Sequence, residues 1–231
     1  MSHPDFVDAL ILCGGQGTRF REISNEIPKA LAPVHGVPFL DLMLNDIVSQ
    51  GCTRIILGTG HLSEQIEEHV KKRKDAEYLI SREEKPLGTG GAIRYAYPLF
   101  QTATTLVMNG DSMIQFSLRK LLDFHKGQKT QVSVLVSSAT AGDDYGKIEL
   151  GEDGKILSFC EKQKNRKNDL TNAGVYCLNR NLIESQPEGH SSLEKEWLPV
   201  WATKGLVSGH VVDRPFHDIG TLERYNAAQV N

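Results

Sequence analysis

The chain has 231 residues, with 26 Lys and Arg against 29 Asp and Glu and a formal net charge of −3. A chain of this length can bury a full hydrophobic core, and its slight acidic balance speaks against a nucleic-acid-binding protein, which carries a basic excess. No apolar stretch approaches the roughly 20 residues of a membrane helix, and residues 1–8, MSHPDFVD, lack the basic segment and long apolar core of a secretory signal. Cys13, Cys52, Cys160 and Cys177 are far apart and form no C-x-x-C pair. Reduced, buried thiols in a cytoplasmic protein are therefore expected, with no structural zinc.

In chain order, apolar runs alternate with helical periodicity. VDALILC reads as a buried strand. In PFLDLMLNDIVSQG the apolar residues Phe39, Leu40, Met43, Leu44, Ile47 and Val48 recur at helical spacing, and Gly51 is a stop signal. TRIILGTG is a second strand and LSEQIEEHVKKR a second helix, whose basic end, Lys71 to Lys74, reads as a solvated last turn. AEYLISR is a third strand. TGGAIRYAYPLF follows as a helix that Pro98 ends or bends, then TTLVMNGD as a strand and SLRKLLDFHKG as a helix. This alternation predicts an α/β fold, a Rossmann-like, mixed but mainly parallel sheet flanked by helices.

The second half reads differently. QVSVLVSS is a strand, and GKIEL and KILSFCEK flank GEDG, whose Asp-Gly is a hairpin signal. NAGVYCLN is a strand, LEKEWLPVWATKG a helix, LVSGHVV and PFHDIG short strands, and LERYNAAQV a closing helix. No low-complexity linker divides the halves. A single domain over 1–231 is expected, with a nucleotide-binding lobe about 1–112 and a second lobe about 113–231.

The first strand ends in LILCGGQGTRF. Gly14, Gly15 and Gly17 let a ligand approach the backbone closely, and Thr18 and Arg19 add a hydroxyl and a cationic fork. Bare amide N–H groups with a guanidinium suit a polyphosphate; a tight strand-to-loop turn with no ligand is the plainer reading. A Walker loop needs G-x-x-x-x-G-K-[ST], which is absent. A dinucleotide fingerprint from Gly15 has Phe20 in place of its third glycine, and Pro28, Pro33 and Pro38 break up any helix that would follow.

CGGQGTR, IPKALAPVHGVPFL, EKPLGTGGAI, NGDS and DIGTLERY, in this order, resemble the motifs of the sugar-1-phosphate nucleotidyltransferases, also called nucleotide-sugar pyrophosphorylases. The resemblance covers about residues 9–225 and is strongest to the D-glycero-α-D-manno-heptose-1-phosphate and mannose-1-phosphate guanylyltransferases. Phe20 stands where Leu is usual, Ala30 where Pro is common, and no hexapeptide repeat of a C-terminal β-helix follows Tyr225.

The resemblance implies that a sugar 1-phosphate oxygen, already an anion, attacks the α-phosphorus of an NTP and expels pyrophosphate. Catalysis is then cation, metal and positioning work, with no side-chain nucleophile. It implies Arg19, Lys29, Asp111 and Asp218 as the catalytic set, with Arg19 across the β- and γ-phosphates, Lys29 near the α-phosphate and both Asp residues on Mg²⁺. Asp111 ends the run TLVMNGD and Asp218 follows RPFH before Ile219-Gly220, both strand ends, where ligands bind in open α/β sheets, and Asp is equally a turn or cap residue. The implied nucleotide site adds Leu12, Gly14, Gly15, Gly17, Thr18, Glu83, Pro86, Gly88, Thr89 and Gly90. The implied sugar-phosphate site comprises Asn109, Gly146, Glu161, Lys162, Asn172 and Gly174. His61 and His217 lie near these motifs and receive no role.

Glu83 sets the expectation for the base. A carboxylate only accepts hydrogen bonds, and the guanine edge presents two adjacent donors, N1–H and the N2 amine. GTP is therefore the expected nucleotide, unless Glu83 is a solvated strand-end residue or backbone groups near Gly88 do the selecting. A uridylyl- or thymidylyltransferase, a hexose 1-phosphate acceptor, an inert regulatory subunit and a nicotinamide oxidoreductase are the competing functions. The partners expected are the NTP and the sugar 1-phosphate, with neither nucleic acid nor membrane. A homo-oligomer is compatible with the sequence.

Overall fold

The computed structural model describes residues 7–15, 26–139, 146–160 (the side chain of Cys160 excepted) and 170–230. Its elements are β1 (Asp8–Leu12), β2 (Pro33–Val34), β3 (Val37–Pro38), α1 (Phe39–Ser49), β4 (Arg54–Thr59), α2 (Ser63–Val70), β5 (Glu77–Arg82), α3 (Gly88–Ala96) and β6 (Thr104–Asn109). There follow β7 (Ser112–Ile114), α4 (Leu118–Gly127), β8 (Val132–Ser137), β9 (Lys147–Leu150), β10 (Ile156–Cys160) and β11 (Leu170–Asn179). α5 (Arg180–Glu184), α6 (Leu198–Thr203), β12 (Val207–Val212), β13 (Phe216–Asp218) and α7 (Leu222–Ala228) complete the chain.

A nine-stranded sheet organises these elements. β5, β4, β1 and β6 lie side by side and parallel. α1 crosses from β1 to its neighbour β4, α2 from β4 to its neighbour β5, and α3 returns from β5 past β4 and β1 to β6, the crossovers that parallel strands require. β11 runs antiparallel to β6, so the two halves of the chain share one sheet. Beyond it, β8 pairs antiparallel with β11 and parallel with β12, while the β9–β10 hairpin joins the first residues of β11. The expected mixed, mainly parallel α/β sheet is the observed one.

Both faces of the sheet are covered, and the alternation of strand residues sorts them. Ala9 and Ile11 join the layer under α1, α2 and α4, with Leu40, Met43, Leu44, Ile66 and Leu121. Leu10 points the other way, into a layer with Ile93, Phe100, Tyr176, Trp197 and Trp201. Cys13, Cys52 and Cys177 are free and buried, and burial pushes the Cys13 and Cys177 thiols up to about 12. No described helix is long and apolar enough to cross a membrane.

One local reading is corrected, and the helix-breaking prolines behave as expected. Residues 71–74 are not simply a solvated turn: Arg73 reaches Asp41, Asn45, Asp75 and Tyr78 and closes the edge beside β5. The prolines around Lys29 build structure of their own, a 3-10 turn at Lys29–Leu31 and the two-residue hairpin β2–β3.

Candidate active site

β1 and β6 end level with each other, Leu12 opposite Asn109. The Gly110 N–H donates to the Leu12 carbonyl at 3.0 Å. A Cβ on Gly110 would stand 2.6 Å from that carbonyl oxygen, so the close approach needs glycine. The chain thus turns at once and presents Asp111 at the carboxyl ends of the strands. β4 lies on one side of β1 and β6 on the other, so this is the topological switch point of the parallel part.

Asp218 arrives from the far end of the sequence. β13 pairs antiparallel with β7, Asp218 opposite Ser112, and the Ile219 N–H donates to the Asp111 carbonyl. Lys29 reaches the same place from its 3-10 turn, with Nζ 2.6 Å from Asp111 Oδ2. Asp218 is only 7% exposed. Its Oδ1 accepts from the Gly220 N–H at 2.7 Å, and Arg224 Nη1 stands 3.2 Å from each of its oxygens. Lys29, Asp111 and Asp218, distant in sequence, are therefore one cluster, and Arg224 is a fourth member.

The described residues hold no group of three or more His, Cys, Asp or Glu placed for a metal. Two carboxylates alone suit Mg²⁺, which takes hard oxygen ligands and completes its shell with water and substrate phosphate. The cations Lys29 and Arg224 lie against these same carboxylate oxygens, which is where positive charge is stabilised. The donor set fits Mg²⁺ on both counts.

Glu83 follows β5. Its Oε2 accepts from the Leu87 N–H at 2.8 Å, closing the turn into α3. Its Oε1 would lie 3.0 Å from a Cβ on Gly14, so the carboxylate packs against the glycine loop after β1. It is half-buried rather than solvated, and that burial pushes its pKa up, against the pull of the Leu87 N–H. Gly15 is open to solvent, and Pro86 is exposed beside the same turn.

Gly88, Thr89 and Gly90 begin α3. Gly88 has φ +71°, and a Cβ there would meet the Ser191 carbonyl at 2.4 Å. The Gly90 and Gly91 N–H groups donate to that carbonyl, and Ser191 N–H donates to Leu87. Gly90 itself is pressed against Ser191 and Trp197. The Thr89 hydroxyl donates to Glu194 Oε2 and accepts from the Leu193 N–H. The turn is therefore held by residues 191–194, about a hundred positions away.

The same Glu194 reaches residues expected from the sequence to receive the sugar phosphate. The fully buried Tyr176 hydroxyl donates to Glu194 Oε1 at 3.4 Å and accepts from Asn172 Nδ2 at 2.9 Å. Asn172 Oδ1 accepts from the Gly174 N–H, which holds a bulge in β11 where Gly174 has φ +73°. Asn109 packs on Gly174, and its Oδ1 is buried without a hydrogen-bond partner among the described residues. The Asn172 N–H donates to the Gly146 carbonyl at the start of the β9–β10 hairpin. Burial, with the Glu194 charge beside it, raises the Tyr176 pKa well above its ordinary value.

Gly17, Thr18, Arg19, Glu161 and Lys162 lie outside the described residues. Sequence reasoning missed Arg224 in the carboxylate cluster, and Glu194 and the Tyr176 hydroxyl that link Thr89 to Asn172. Only DIGTLERY, which contains Arg224, carried a signal for any of them.

Comparison with known proteins bears on the family and the fold. The family model described as "Nucleotidyl transferase" matches residues 8–231. The chain is 33% identical over 226 residues to the mannose-1-phosphate guanylyltransferase of Mycobacterium tuberculosis, covering 95% of this chain and 62% of that protein. It is 31% identical over 225 residues to the D-glycero-α-D-manno-heptose 1-phosphate guanylyltransferase of Aneurinibacillus thermoaerophilus, covering 96% and 97%. The crystal structure of HddC from Yersinia pseudotuberculosis superposes with a TM-score of 0.85 at 28% identity, covering 97% of this chain and 98% of that one. The same protein complexed with GMP-PN gives 0.84 at 29%. With the match running from the first strand through the last helix, the chain belongs to the nucleotidyl transferase family.

Proposed function

We propose that this protein transfers a guanylyl group from GTP to a sugar 1-phosphate, D-glycero-α-D-manno-heptose 1-phosphate first, giving the GDP-sugar and pyrophosphate. The observation that carries the reading is the convergence of Lys29, Asp111 and Asp218 at the carboxyl ends of β1 and β6. The heptose 1-phosphate guanylyltransferase relative and the HddC complex with GMP-PN support the choice of nucleotide and acceptor. Mannose 1-phosphate is the second acceptor to consider, on the strength of the mycobacterial relative. The two lobes act as one domain in this reading.

The nucleophile is a phosphate oxygen that is already anionic, so no side chain need remove a proton from it. The barrier lies in bringing polyanions together and in the charge on the α-phosphate and leaving group. Lys29, with Arg19, answers that charge, and the glycine loop at Gly14 and Gly15 admits the phosphates to the backbone. Glu83 meets the base, Gly88 and Thr89 shape its side of the crevice, and Asn109, Gly146, Glu161, Lys162, Asn172 and Gly174 receive the sugar phosphate. Asp111 and Asp218 would hold Mg²⁺, which when bound supplies neutralising charge to the phosphates.

A grid of four NTPs against heptose, mannose and glucose 1-phosphates, read by pyrophosphate release with and without Mg²⁺, tests the reading. It predicts the highest kcat/KM for GTP with the heptose phosphate and none without Mg²⁺. Release that ignores the sugar phosphate would contradict it.

A further inference from the structure

Arg224 has no place in the reading above, yet the fold gives it a fixed one. The Thr221 hydroxyl caps α7 by accepting from the Arg224 N–H, which sets the side chain over Asp218. The helix is tied down at its other end. Tyr225 Oη and Gln229 Nε2 each donate to the Pro33 carbonyl at 2.6 Å, and Gln229 Oε1 accepts from the His35 N–H. These anchors lie on the β2–β3 hairpin, directly after Lys29. α7 thus spans the two segments that deliver Lys29 and Asp218.

A cation stands against each of the two carboxylates. A Cβ on Gly220 would stand 2.7 Å from Asp218 Oδ1 and 3.7 Å from both Arg224 Nη1 and Lys29 Nζ. Lys29 faces Asp111, and Arg224 faces both oxygens of Asp218. Asp218 is the more buried of the two carboxylates, with a side chain 6% exposed against 40% for Asp111. A divalent cation and a guanidinium want the same carboxylate lone pairs, and at this separation each raises the cost of the other.

Resting on the metal role given above to Asp218, we propose that Arg224 is a positioning residue that competes with the divalent cation for the Asp218 carboxylate and so weakens metal binding by the free enzyme. The guanidinium holds the carboxylate in place before metal arrives. It also leaves tight metal binding to the moment when substrate phosphates add their own ligands and negative charge.

The test is Mn²⁺ binding to the full chain without nucleotide, read by electron paramagnetic resonance, in wild type, R224Q, R224K and D218N. Removing a unit charge this close should tighten Mn²⁺ binding by roughly tenfold in R224Q. R224K, which keeps the charge, should stay near wild type. A merely structural Arg224 predicts the opposite sign, because a loosened Asp218 binds metal less well. Unchanged or weaker binding in R224Q, or no detectable binding in either protein, overturns the proposal. D218N separates the two claims: if it binds Mn²⁺ as wild type does, the metal role of Asp218 itself fails. If D218N loses binding while R224Q matches wild type, only the role of Arg224 fails.

Discussion

Glu83 allows its two jobs, closing a turn and reading a base, to be pulled apart. In Glu83→Gln the side chain keeps an oxygen for the Leu87 N–H, 2.8 Å away in the wild type. A charge-assisted bond becomes a neutral one, about 1 kcal/mol weaker. For a domain of this size that is a fall in Tm of about 2–4 °C. Glu83→Ala orphans the Leu87 N–H, at roughly 1–3 kcal/mol, and should lower Tm further. Selectivity should respond differently. The amide cannot accept from both guanine donors, so an unmatched donor of about 1–3 kcal/mol cuts the GTP/UTP ratio of kcat/KM by roughly 5- to 150-fold. Kinetics with GTP and UTP beside thermal melts, in wild type and both variants, read the two effects together. Burial raises the Glu83 pKa, so the GTP preference should also fade on acidification before an ordinary carboxylate would protonate. A wild type that favours UTP, or a Glu83→Gln protein with a lower Tm and an unchanged ratio, would show that Glu83 only closes the turn.

Other outcomes follow from the same geometry. Asp111→Ala or Asp218→Ala should abolish turnover while circular dichroism stays native, a transition-state loss of several kcal/mol; near-normal kcat in either variant removes that residue from the mechanism. Lys162→Ala should raise KM for the sugar phosphate far more than for GTP, and equal effects on both would refute its assignment to the sugar side. His125 is buried between Ser133 and Asn179, and burial lowers its pKa. The unfolded chain therefore protonates first, and stability present above pH ~6.5 is lost as pH falls, by up to about 1.4 kcal/mol per pH unit. Urea melts of His125→Gln should show a flatter dependence in that range.

The parallel half of the fold was legible because its strands are buried on both faces and read as continuous apolar runs, as LILC and RIILGT do. The amphipathic α1 and α4 were equally plain. Short elements such as β7, α5 and the β2–β3 hairpin carried too few residues to show a period, and β7 is made by pairing with the distant β13. Asp111 and Asp218 could be picked out as carboxylates at the ends of strand-like segments, TLVMNGD and RPFHD. Glu194 could not, because it sits in a charged stretch, LEKEW, that looks like a solvated helix turn. Its role depends on Thr89, 105 residues away, and on the buried Tyr176 hydroxyl. Arg73 failed for the same reason: its partners Asp41 and Asn45 come from α1, and a basic run discloses nothing about them. Glu83 was legible as a candidate but not as a half-buried turn closure.

The fate of label in GTP tests the central claim most directly, since transfer from the α-phosphorus and transfer from the γ-phosphorus make different products. With heptose or mannose 1-phosphate, Mg²⁺ and the full chain, α-³²P should appear in the GDP-sugar and γ-³²P in pyrophosphate, both only when the sugar phosphate is present. Asp111→Ala should form neither product. Transfer of the γ-label to the sugar phosphate, or label release that does not require an acceptor, would contradict nucleotidyl transfer at the Lys29–Asp111–Asp218 cluster.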